Sequence, residues 1–205
     1  ELTESQTQNF YMTFQGTASF HQKFADAHEV KVLLGVSRET MSQRYYSASR
    51  QSLPYPDYPV LNVGAEDETM SNAGTRSEWA LQSFFGRVNY NYKERYLIEG
   101  NIRFDGSSRF AKGRQWGIFP SVSAGWRISE EPWMTRAKKT LTELKLRASY
   151  GQLGNQNISS SNYPFAEQLA MDVYSVNGVL VPIAYRNTLA NEDITWETSE
   201  MFDIG

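Results

Sequence analysis

Trp116-Gly117-Ile118-Phe119-Pro120-Ser121-Val122-Ser123-Ala124-Gly125-Trp126-Arg127-Ile128-Ser129 decides the fold. Its even-numbered members, Trp116, Ile118, Pro120, Val122, Ala124, Trp126 and Ile128, are apolar, while the odd-numbered ones are mostly small or polar. A β-strand rises about 3.3 Å per residue and turns successive side chains to opposite faces, so the run is a ribbon with one greasy side and one wet side. Soluble strands are about 5 to 6 residues long, whereas a tilted membrane-spanning strand needs about 9 to 11. The length therefore predicts a strand that crosses a bilayer. Pro120 removes a ladder donor, which predicts a bulge at a bent part of the wall.

The neighbouring segments repeat the alternation. Phe10, Met12, Phe14, Gly16, Ala18 and Phe20 oppose Tyr11, Thr13, Gln15, Thr17, Ser19 and His21, and after a turn at 23–28 the residues Val30, Val32, Leu34 and Val36 oppose Lys31, Leu33, Gly35 and Ser37. Phe84, Gly86, Val88, Tyr90 and Tyr92 oppose Ser83, Phe85, Arg87, Asn89 and Asn91. A turn at Lys93-Glu94 leads to Tyr96, Ile98, Gly100, Ile102 and Phe104, opposite Leu97, Glu99, Asn101, Arg103 and Asp105. Asp105-Gly106-Ser107-Ser108 starts a turn before the strand from Trp116. A short helix is expected from Glu130-Glu131-Pro132-Trp133 through Lys139, then a sixth strand with Leu144, Leu146, Ala148 and Tyr150 on one face, and a seventh from Trp196 to Gly205. Aperiodic stretches at about 42–77 and 153–193 are expected to be long loops. The whole is an all-β chain of about seven long antiparallel strands.

Composition agrees with this reading without announcing it. No stretch approaches the roughly 20 consecutive apolar residues of a membrane helix, yet a barrel evades hydropathy because half of each strand faces a polar lumen. The net charge of −3 is small, and the basic residues are scattered among acidic ones, which argues against nucleic acid as a partner. With no cysteine there is no disulfide framework and no thiolate nucleophile. The chain starts at Glu1 without an initiator Met and stops inside a strand, which predicts a piece of something larger.

Connections alternate between short and long. Bacterial barrels place short turns in the periplasm and long loops outside, so 42–77, 106–115 and 153–193 are expected to be extracellular. Tyr92, Tyr96 and Trp126 lie near the short-turn ends, and Trp79, Phe110, Trp116 and Trp196 near the long-loop ends, as two interfacial girdles require.

The stretches Phe84-Phe85-Gly86-Arg87-Val88-Asn89-Tyr90, Arg103-Phe104-Asp105-Gly106-Ser107-Ser108-Arg109-Phe110 and Trp116 to Ser129, followed by Leu144-Lys145-Leu146-Arg147-Ala148-Ser149-Tyr150-Gly151-Gln152-Leu153-Gly154-Asn155-Gln156 and Ile194-Thr195-Trp196-Glu197, carry a family likeness. In these residues and their order the chain resembles the barrel of the SusC/RagA-type TonB-dependent outer-membrane transporters. The resemblance implies a transmembrane barrel of 22 strands in the outer membrane of Bacteroidota-type bacteria, of which residues 1–205 are part of the wall. It also implies a plug domain and a TonB-contacting segment elsewhere, a SusD-type surface lipoprotein as partner, and import of glycan fragments or peptides. No ligand residue carries over, because the family's variable loops select substrate.

Candidate site residues fall into two sets. Arg87, Glu99, Arg103, Asp105, Arg127, Lys145 and Arg147 share the polar face; they would line the lumen, or equally form an ion-pair ladder that stiffens the wall. Tyr45, Tyr46, Tyr55 and Tyr58 lie among Ser and Pro and could stack on sugar rings, contact a lid protein, or pack on other loops. No metal or cofactor is expected: His21 and His28 flank a turn with only Asp26 and Glu29 nearby, and the run Glu66-Asp67-Glu68 lacks EF-hand order. Asn157-Ile158-Ser159 fits a glycosylation acceptor that has no meaning in a bacterium. No hydrolase arrangement is present, so the reading is not an enzyme. The rival readings are a passive porin or adhesion barrel, an outer-membrane barrel enzyme, and a soluble carbohydrate-binding β-sandwich.

Overall fold

The computed structural model describes every residue except 56, 136–139 and 160. Strands β1 (Leu2–Phe24), β2 (His28–Arg50), β3 (Ser71–Tyr92), β4 (Tyr96–Ser107), β5 (Trp116–Arg127) and β6 (Lys145–Asn155) are followed by β7 (Gln168–Val176), β8 (Val179–Thr188) and β9 (Glu197–Ile204). Seven of them form one sheet in the order β1-β2-β3-β4-β5-β6-β9, and β7 with β8 makes a separate hairpin. Among the described residues no helix is long and apolar enough to cross a membrane. By internal contacts the chain divides into residues 1–13 with 39–80, and residues 14–38 with 81–205.

The first unit corrects the expected loop at 42–77, for β2 runs on to Arg50 and β3 begins at Ser71. The connection proper is 51–70. Alternation in sequence records a difference in solvent between two faces; where both faces are wet, that difference vanishes while the backbone ladder continues. Side-chain contacts in this unit join residues of like parity. Gln43 donates to Asn9 at 3.0 Å, Ser42 donates to Glu78 at 3.1 Å, and Tyr46 donates to Gln6.

In the second unit the register makes the two faces continuous. Even-numbered residues pair with even across the ladders from β3 to β6 and β9: Phe84↔Phe104, Ile102↔Pro120, Ile98↔Ala124, Val122↔Tyr150 and Tyr150↔Phe202. That face is apolar, yet Ile98 is 50% exposed, Val122 51% and Phe202 68%. A soluble sandwich would bury it, since exposed apolar patches of this extent mark an interaction surface.

The expected bulge at Pro120 is absent, because β4 and β5 pair without a shift from Tyr96↔Trp126 to Gly106↔Trp116. Hydrogen-bond parity explains how the proline is tolerated. Arg127 donates to the Arg95 carbonyl and Ser107 to the Gln115 carbonyl, so the odd-numbered residues of β5 serve the β4 ladder. Pro120 therefore turns its nitrogen toward β6, and the β5–β6 pairing stops at Ser121↔Gly151, one residue before it. The missing donor ends a ladder rather than bulging one.

The short turns are two-residue reversals with both central residues at positive φ: Ala25 (47°) and Asp26 (51°), then Lys93 (52°) and Glu94 (59°). Ala27 donates back to the Phe24 carbonyl and Arg95 to the Tyr92 carbonyl. This is the hairpin geometry that matches right-handed strand twist. The expected long loop at 153–193 begins later, since β6 reaches Asn155, and it contains the β7–β8 hairpin. After β5, 3-10 turns at Ile128–Glu130 and Pro132–Met134 replace the start of the expected helix. Its remainder, 136–139, lies outside the described residues.

Candidate functional site

Odd-numbered residues of β3 to β6 build the polar face, where four of the seven charged candidates interlock. Arg87 donates from Nε to Asn101 Oδ1 (2.7 Å), Asn101 donates to Glu99 (2.9 Å), and Asn89 donates to the other oxygen of Glu99. Arg103 donates from Nε to both carboxylate oxygens of Asp105, at 2.7 and 2.8 Å, and from a terminal nitrogen to Ser83 Oγ at 2.9 Å. Its guanidinium also lies 5.7 Å from the Phe85 ring centre. Arg147 approaches Asp203 at 3.9 Å. Lys145 and Arg147 line a depression of about 660 Å³ together with Glu29, Lys31, Glu99 and Asp203. Arg127 closes the strand, with its backbone bound to Arg95. Arg87, Glu99, Arg103 and Asp105 each meet a charged or polar partner on their own or the next strand.

A second depression, about 700 Å³, spreads over the middle of this face beside Arg87, Arg103, Ser121, Ser123, Ser149 and Gln152. It offers hydroxyls, amides and two guanidiniums to anything passing along the wall. Among the described residues no group of three or more His, Asp or Glu side chains is placed to hold a metal. The two histidines take separate partners: His21 sits 2.8 Å from Glu29, and His28 contacts the Tyr90 hydroxyl at 2.7 Å and lies beside the Tyr92 ring. In the acidic run, Asp67 accepts from the Thr69 amide at 2.8 Å and Glu66 faces Arg50 at 3.6 Å.

The four tyrosines are not brought together. Tyr45 and Tyr46 stand on β2 rather than in a loop, and as neighbours they point to opposite faces. Tyr55 and Tyr58 are exposed in the 51–70 connection.

Aromatic rows meet the girdle expectation at one end and correct it at the other. Tyr92, Tyr96 and Trp126 stack in sequence across β3, β4 and β5, with ring centres 6.2 and 6.3 Å apart. Trp116 stacks on Phe84 at 6.0 Å. Phe110, however, is fully buried, and with Phe119 it packs against Trp196, each pair of ring centres 5.2 Å apart. Around these rings Ser107 donates to Gln156 (2.7 Å), Trp196 Nε1 donates to the Gln115 carbonyl (2.9 Å), and Arg109 donates to Asn157 and to the carbonyls of Ser159 (2.8 Å) and Ser161 (3.1 Å). Phe119 also presses on Gly154, where any side chain would collide with its ring. Sequence reasoning missed this knot, because it joins residues from four segments. The available signal was Arg109-Phe110 standing outside any strand, a cation and a large ring in a Ser/Gly turn.

The opposite end has its own anchor, also missed. Glu131 is buried, accepts from the Tyr96 hydroxyl (2.6 Å) and from Trp126 Nε1 (3.0 Å), and faces Arg95 at 3.5 Å. The Tyr96 hydroxyl above all, then Trp126, holds its carboxyl below the usual glutamate range, with Arg95 adding to the effect. A depressed folded-state value means that this stabilisation is complete above the ordinary glutamate pKa of about 4.3 and is lost as pH falls through the lower folded-state value. Protection factors at Ser129 and Glu131, corrected for the intrinsic pH dependence of amide exchange, should therefore fall on acidification below that range in the native protein. In Glu131→Gln the acid-dependent part should vanish; an unchanged pH profile in that variant would remove Glu131 as its source.

Strands of this length, a continuous exposed apolar face, a charged face behind it and stacked aromatic rows define the wall of a transmembrane β-barrel. The chain matches the family described as TonB dependent receptor-like, beta-barrel, over residues 2–205, and it belongs to that family. Members of this class reside in the bacterial outer membrane, and these relatives are receptors rather than enzymes. It is 33% identical over 201 residues to TonB-dependent receptor P39 of Formosa agariphila, covering 98% of this chain and 18% of the relative. TonB-dependent receptor SusC of Bacteroides thetaiotaomicron is 37% identical over 133 residues, 61% of this chain and 13% of that protein. The structure of the RagAB peptide transporter superposes with a TM-score of 0.89 at 24% identity, covering 98% of this chain and 22% of that one. The chain thus spans about a fifth of the length of these relatives.

Proposed function

We infer that residues 1–205 supply part of the wall of a TonB-dependent importer, with the apolar face toward lipid, the polar face toward the lumen and plug, and the loops 51–70, 108–115 and 156–196 outside the cell. The imported material is glycan fragments or peptides too large for passive pores, delivered with a SusD-type surface lipoprotein over the outer mouth. The polar face carries this reading. Arg87, Glu99, Arg103 and Asp105 meet partners within it and hydroxyls are interspersed, so it would be a wettable wall that lets polar cargo slide past. Kinship with SusC and the fold of the RagAB peptide transporter support the cargo class. Tyr55 and Tyr58 are the exposed loop rings placed to meet cargo or lid.

Uptake of labelled oligosaccharides and peptides by cells expressing the full-length protein tests the reading. Accumulation should disappear when TonB is deleted. Uptake that persists without TonB, down a concentration gradient only, would make the protein a passive pore.

A further inference from the structure

In the first unit the even-numbered face changes character along its strands. Phe10 and Met12, 68% and 54% exposed, stand on the same face of β1 as Gln6, which lies further toward the outer end. Ser42 of β2 donates to Glu78 of β3, and Arg44 and Arg76 lie two residues further along the same two strands. Arg44, Tyr46, Gly74 and Arg76, with Tyr45 and Thr75, line a depression of about 460 Å³.

Two arginines lining one depression repel. Arg76 is relieved by Glu78, to which it donates from Nε at 2.9 Å. Among the described residues no carboxylate lies within ion-pair distance of Arg44. Glu78 already accepts from Arg76 and Ser42, and Tyr46 donates its hydroxyl to Gln6, so the ring is fixed as one side of the cradle. The result is a cationic notch lined by even-numbered Arg44, Tyr46, Gly74 and Arg76, in a unit whose even-numbered residues also include the exposed Phe10 and Met12.

We propose that this notch binds a phosphate of a phosphorylated glycolipid in the outer leaflet, whose acyl chains lie along Phe10 and Met12. The planar guanidinium fork suits phosphate oxygens, and an anion between Arg44 and Arg76 turns their repulsion into a shared site. The charge balance of the notch favours an anionic group, and the adjoining apolar residues favour one carried on a lipid. The proposal rests on the assignment of the apolar face to lipid.

The test is native mass spectrometry of the purified full-length protein with diphosphorylated lipid A, its dephosphorylated form, and inorganic phosphate as separate probes. The diphosphorylated lipid should bind, the dephosphorylated form should bind far more weakly, and the double substitution R44Q/R76Q should weaken the former about thirtyfold, from about 1 kcal/mol per basic residue near a lipid surface. R44K/R76K should restore part of the loss. Binding unchanged in R44Q/R76Q, or inorganic phosphate binding as tightly as the glycolipid, would overturn the proposal. Should R44Q/R76Q fail to assemble, Glu78→Gln decides: freeing Arg76 should tighten binding severalfold, and an unaltered affinity refutes the site. If Ile102→Arg is strongly destabilising while lipid binding ignores the arginines, only the notch fails; if Ile102→Arg is harmless, the face assignment fails and takes the proposal with it.

Discussion

Phe110→Ala in the full-length barrel is expected to lower stability by about 3–5 kcal/mol, the range for deleting a fully buried phenylalanine ring. Phe110 has no exposed surface and touches Trp196, which in turn touches Phe119, so its removal leaves a cavity lined by two aromatic rings that rigid strand backbone cannot collapse to fill. Urea unfolding of the detergent-solubilised protein, followed by tryptophan emission, measures it. Trp196 should redden in the native baseline as water reaches its ring. A loss under about 1 kcal/mol would show that the knot is loose and that the loops on either side of it are held by other means.

The next effect separates the two faces of the wall. Ile102→Arg or Val122→Arg should destabilise the protein in lipid by about 2–4 kcal/mol if these positions lie near the bilayer midplane, because a guanidinium there must be hydrated or dragged to an interface. Ser123→Arg, one residue from Val122 on the polar face, should change little. Ile102 is 41% exposed in the free wall and pairs with Pro120, so no neighbouring protein group could screen the new charge. Reversible unfolding into vesicles gives the numbers, and equal sensitivity on both faces would sink the assignment.

The faces were legible in the sequence because the bilayer imposes a period of two on every residue it touches. From Phe84 to Tyr150 that period names each strand and its apolar face. It fades from Ser42 to Arg50, where β2 continues without apolar alternation, and there only the structure places Tyr45 and Tyr46. The polar-face charges could be listed but not paired, since pairing depends on register between strands: Arg87 reaching Asn101 needs the Arg87↔Asn101 alignment. Arg109 and Glu131 were illegible for a different reason. Each closes a cluster of residues from several segments, and each is a charged residue in a turn, which by itself suggests only solvent. Pro120 was read as a bulge because sequence shows a missing donor without showing which neighbour it faces.

That proline has a mechanical consequence. Beyond Ser121↔Gly151 no further residue pair joins β5 to β6 in the described register, while β6 goes on to pair with β9 as far as Asn155↔Glu197. The outer part of β6 is thus stitched on one side only, and on the other it is held by the Phe119 ring pressed into the space over Gly154. The barrel wall has a seam there, closed by a rivet instead of a zip. A pull from the loops would load the Phe119 ring over Gly154 together with the Ser107–Gln156 and Arg109–Asn157 contacts.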